Sequence, residues 1–83
     1  MKMKTYTEER QVEIKAAIVE FIEKYPGTRK HWLGQACGEW YINLLPLIRE
    51  LEEEGKIYSE PYRDPANMEF YDKYYATKKS GNS

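Results

Sequence analysis

Leu33-Gly34-Gln35-Ala36-Cys37-Gly38-Glu39-Trp40-Tyr41-Ile42-Asn43-Leu44-Leu45-Pro46-Leu47-Ile48 holds two short apolar patterns separated by a glycine. Gly34 stands where a small residue lets two helices cross closely, and Gly38 where a reversal needs positive φ. Upstream, Trp32, Leu33, Ala36 and Cys37 are the inward residues expected of a short helix, with Thr28 as its cap. Downstream, Leu44, Leu47, Ile48 and Leu51 follow the i, i+3, i+4, i+7 spacing of a buried helical face. Pro46 limits where this second helix begins, because proline breaks a helix interior but is tolerated in the first turn. The helix either starts near Asn43, with Asn43 as cap, or starts near Glu39 and is kinked; the later start is favoured.

Working outward, Thr5-Tyr6-Thr7-Glu8 reads as a capping box opening a helix over residues 6–25. Its apolar stripe is Ile14, Ile18, Phe21, Ile22 and Tyr25, with Ala17 on the same face, and Pro26-Gly27 ends it. On the other side, Gly55 terminates the last helix and the period changes. Lys56-Ile57-Tyr58-Ser59-Glu60 favours a strand, Pro61 to Asn67 is turn chemistry, and Met68 to Thr77 reads as the returning strand. Glu52, Glu53 and Glu54 sit where the helix dipole disfavours anions, which marks a solvated face. Tyr62, Tyr71, Tyr74 and Tyr75 could stack bases, but at strand spacing the packing face of the hairpin is the favoured reading. The expected architecture is α+β, mainly α: three helices followed by a two-stranded β-hairpin.

That order resembles the winged helix-turn-helix superfamily of DNA-binding domains. Leu33 to Gly38 looks like its second helix and turn, Leu44 and Leu47 like the aliphatics its recognition helix buries, and Leu51-Glu52-Glu53-Glu54-Gly55-Lys56-Ile57 like the passage into its wing. Glu39 departs from the pattern, since the family usually buries an aliphatic just after the turn; Trp40 or Ile42 is the substitute to look for. The resemblance implies an N-terminal extension (residues 1–5), the domain proper (6–77) and a polar tail (78–83). It implies that the third helix enters the major groove of double-stranded DNA, exposing Trp40, Tyr41, Ile42, Leu45, Pro46 and Arg49. Trp40 is equally well placed to pack on helix one. Candidate DNA contacts are Thr28, Arg29 and Lys30 at the head of helix two, Trp40, Tyr41, Asn43 and Arg49 on helix three, Arg63 at the wing tip, and Lys73, Lys78 and Lys79 on or after its second strand. Because Trp40, Tyr41, Ile42, Leu45 and Pro46 are largely apolar, a protein-binding module is the alternative, an inhibitor or assembly adaptor. Homodimerisation through helix one or the terminal segments is a further implication of the resemblance.

Bulk properties narrow the field. The 83 residues suffice for one domain, and with no room for an effector domain the expected source is a compact genome, of a phage, plasmid or archaeal element. At 41% hydrophobic and 33% charged residues the chain is ordinary globular composition and not disordered. Net charge is −1, so overall basicity does not argue for nucleic acid, but residues 50–60 carry −4 while residues 27–49 carry +2. No apolar run approaches the roughly 20 residues of a membrane span, and no apolar signal-peptide block follows Lys2 and Lys4, so a cytoplasmic protein is expected. With one cysteine (Cys37) and one histidine (His31), an intramolecular disulfide, a metal site and a Cys-His nucleophile are not expected. The carboxylates lack a catalytic partner, so neither a cofactor nor an enzyme is expected.

Overall fold

The computed structural model describes residues 5–77. Lys2, Lys4, Lys78, Lys79 and the proposed tail (78–83) lie outside them. Three helices, α1 (Glu8–Lys24), α2 (Lys30–Cys37) and α3 (Tyr41–Glu53), precede strands β1 (Ile57–Arg63) and β2 (Phe70–Ala76). The strands pair antiparallel, with Ile57 opposite Ala76 and Arg63 opposite Phe70.

The core lies where one face of every element meets. It consists of Ile14, Ile18 and Ile22 of α1, Leu33 of α2, Leu44, Leu47, Ile48 and Leu51 of α3, Ile57 of β1 and Tyr74 of β2. Each such aliphatic side chain gains about 1.5–3 kcal/mol from leaving water, which is what holds a two-stranded hairpin to the helices.

Local chemistry sets the boundaries, and several differ from the sequence reading. Thr7, not Thr5, caps α1: its Oγ1 accepts the Arg10 backbone N–H at 3.1 Å, so the helix opens at Glu8. It closes at Lys24, leaving Tyr25 as an exposed C-cap. Thr28 does not cap α2. Its carbonyl accepts the Tyr74 N–H at 2.9 Å, and the Gly27 N–H donates to the Tyr74 carbonyl at 2.8 Å. Thr28 is thus a one-residue third strand beside β2, and Arg29 takes the N-cap position without a side-chain cap bond. Trp32 and Ala36 point outward rather than into the core, since Leu33 and Gly34 take the buried side of the short helix.

The turn between α2 and α3 is as tight as Gly34 and Gly38 require. Gly38 has φ +70°, and the Glu39 N–H reaches back to the Gly34 carbonyl at 2.9 Å. A Cβ on Gly34 would stand 2.6 Å from the Glu39 carbonyl oxygen and 2.8 Å from the Tyr41 nitrogen. Helix α3 starts at Tyr41, two residues before the favoured start at Asn43, so Pro46 lies inside it. The carbonyl that loses its helical donor belongs to Ile42, an exposed residue that water can reach.

Strand β1 runs through Pro61 to Arg63, and the turn occupies 64–69 instead of 61–67. Pro61 is tolerated because β1 is the sheet's edge. The turn is held by the Asp64 and Asn67 carboxylate and amide oxygens, which accept the Ala66 and Glu69 N–H groups. Strand β2 therefore begins at Phe70 rather than Met68.

Candidate nucleic-acid interface

The head of α2, the first residue of α3 and the start of β2 share one surface. Arg29, Lys30 and His31 at the start of α2 line a concavity of about 350 Å³ with Tyr41 of α3 and Phe70, Tyr71 and Asp72 of the wing. Arg29 is held there on two sides. Its guanidinium lies 3.6 Å from the centre of the Tyr71 ring, and Nη2 stands 3.7 Å from Glu69 Oε1. Arg63 ends β1 beside the turn, exposed, its guanidinium 5.3 Å from the Phe70 ring centre. Lys73 lies on the opposite side of the hairpin from the core, its Nζ 3.8 Å from the Tyr62 ring centre.

The sequence candidates therefore divide. The concavity brings together Arg29, Lys30 and Tyr41, whereas Thr28 is committed by its backbone to the sheet. On α3, Trp40 is 76% exposed and stands at the N-cap, so it does not pack on α1. Ile42, Pro46 and Arg49 are exposed, and Tyr41 and Asn43 are half-buried. Leu45 is corrected: it packs against the core and is not a free surface residue. Sequence reasoning passed over His31, Phe70 and Tyr71 as members of this surface. The signal for His31 was its place in the first turn of α2; Phe70 was read only as a strand residue, and Tyr71 as a base-stacking candidate for which hairpin packing was favoured.

Glu39 explains the missing aliphatic after the turn. Neither Trp40 nor Ile42 replaces it, because both are exposed. The half-buried Glu39 carboxylate instead accepts the Tyr6 hydroxyl at 3.0 Å and Arg10 Nη2 at 3.3 Å, tying the turn to the start of α1. Burial and then this hydrogen bond push the Tyr6 phenol up to about 12. Burial likewise raises the Cys37 thiol, keeping it in the protonated, poorly nucleophilic form.

The acids at the far end of α3 are occupied elsewhere. Lys15 of α1 bridges Glu50 at 2.7 Å and Glu54 at 3.0 Å, and Glu52 accepts the Ser59 hydroxyl at 3.3 Å. Among the described residues no group of three or more His, Cys, Asp or Glu could hold a metal ion. No helix among them is long and apolar enough to cross a membrane.

No protein-family model and no curated protein matches the chain. Among solved structures, the crystal structure of the transcriptional regulator SlyA matches with a TM-score of 0.62 and 25% sequence identity. The match covers 83% of this chain and 46% of that one, so the chain spans just under half of the regulator's length. By the order of its elements, the tight corner at Gly34 and Gly38, and this likeness, the protein is a winged helix-turn-helix domain.

Proposed function

We propose that the protein binds double-stranded DNA as a regulator of transcription, in the cytoplasm and as a homodimer. The observation that carries this reading is the convergence of the α2 head, the first residue of α3 and the wing on one concave surface containing Arg29 and Lys30. Arg29, Lys30, Arg63 and Lys73 hold phosphates, while Tyr41, Asn43 and Arg49 on α3 face base edges. The likeness to a transcriptional regulator supports the same reading.

A gel-shift titration of a mixed-sequence duplex at low salt is the test. Arg29→Ala and Arg63→Ala are each expected to weaken binding and to flatten its dependence on log salt by about one contact. Absence of any shift by the wild type at low salt ends the proposal.

A second reading rests on a separate observation: Ile42 and Pro46, one turn apart, are exposed on α3, and Trp40 is exposed at its N-cap. Such apolar exposure suits an adaptor that docks on another protein. Trp40→Asp is the variant that addresses it, because Leu45→Asp would place a charge against the core.

A further inference from the structure

The antiparallel register sorts the hairpin into two unlike faces. Ile57, Ser59, Tyr74 and Ala76 stand on the side of the core, in opposed pairs. On the other side Tyr58 opposes Tyr75, Glu60 opposes Lys73, and Tyr62 opposes Tyr71. The rings of Tyr58 and Tyr75 are stacked, with centres 5.4 Å apart and planes 24° apart; those of Tyr62 and Tyr71 are 5.3 Å apart and tilted. The sequence reading favoured the tyrosines as packing residues; Tyr74 alone of them joins the buried core, while Tyr62, Tyr71 and Tyr75 are half-buried. The hairpin is anchored through its other face, so the four outer tyrosines are not needed to bury it.

We propose that this outer face is a stacking platform for the unpaired bases of single-stranded DNA. The two tyrosine pairs lie four residues apart, about 13 Å along a strand rising about 3.3 Å per residue, with Lys73 between them. A phenol face accepts any base, and cations beside it meet the phosphates that flank a stacked base. Lys73 lies on the Tyr62 ring and Arg29 on the Tyr71 ring, one cation for each member of the same pair. Among the described residues Lys73 bridges to no carboxylate, so its charge is available to a polyanion. Glu60 is the one acid opposed across the strands on this face, and it works against the ligand. Rings with polar tips, set beside cations, fit planar bases on an anionic backbone better than an apolar protein anchor. The platform shares Arg29, Tyr71 and Lys73 with the surface proposed for duplex DNA, whereas Tyr58, Tyr62 and Tyr75 lie outside it, so the paired single-strand and duplex titrations separate the two readings.

The test is fluorescence anisotropy of dye-labelled dT12 at low salt, beside the same titration with a fully paired duplex. Wild-type protein is expected to bind dT12, and Tyr62→Leu and Tyr71→Leu each to weaken it by roughly 5- to 100-fold. Glu60→Gln should tighten it. Circular dichroism identifies any variant that does not fold. In that event the readout is wild-type tyrosine emission, which base stacking quenches on adding dT12. No binding of dT12, equal binding by the leucine variants, or unchanged tyrosine emission overturns the proposal.

Discussion

Gly34 and Gly38 stand four residues apart and are required for different reasons. At Gly34 the obstacle is space, since a Cβ would press on the backbone of Glu39 and Tyr41, which no side-chain rotation relieves. Gly34→Ala is expected to destabilise the fold by about 1–3 kcal/mol or more, read from a urea midpoint. At Gly38 there is room but φ is +70°, so Gly38→Ala should cost about 1–2 kcal/mol while leaving the helix crossing intact. Both roles were legible in the sequence. The Glu39 contact was not, because Tyr6 and Arg10 reach it across some thirty residues of chain. Two phenols also give the fold an alkaline limit. Tyr6 and Tyr74 are both raised from 10.0 to about 12, each chiefly by burial. A raised phenol pKa favours the neutral form in the folded state. The stability it contributes is whole below pH 10 and is lost as pH climbs through 12. Thermal melts should therefore fall over that window, and Tyr74→Phe should make the fall shallower.

At the scale of elements, α3 shows how a local rule yields to packing. Proline inside a helix argued for a start near Asn43, yet the chain begins the helix at Tyr41. The compact corner fixes Glu39 and Tyr41 against Gly34, so the helix must begin there, and the lost hydrogen bond falls on an exposed turn. Pro46→Ala restores that bond and is expected to raise stability by about 1–3 kcal/mol, seen as a higher melting temperature. The same override moved the wing: the sequence around Pro61 reads as a turn, but an edge strand does not require its N–H. Thr28 was misread for a related reason. A threonine ahead of a helix resembles a cap until β2, forty-six residues later, supplies a backbone partner.

For the whole molecule, the proposed homodimer has a candidate surface on the outward side of α1. Val12, 68% exposed, shares a groove of about 920 Å³ with Ala16, Val19 and Leu51, rimmed by Glu20, Glu23 and Glu54 and by Lys15 and Lys56. Apolar side chains ringed by both signs of charge suit contact with a second copy. Light scattering should give twice the 9.9 kDa chain mass for the wild type, and Val12→Glu should give the single-chain mass with its helicity retained. A wild type that runs at the single-chain mass removes the dimer from the proposal.

Helical periodicity, the glycines of the corner and the aromatic-rich end of the chain were enough by themselves to specify three helices and a hairpin in order. Those features act through neighbours in sequence or through which face is apolar, and both can be read along a chain. Which residues meet at the surface was decided only in three dimensions. Arg29 on Tyr71, Thr28 on β2, and the tyrosines turned away from the core depend on strand register, and register follows from how Ile57 and Tyr74 seat the hairpin on the helices.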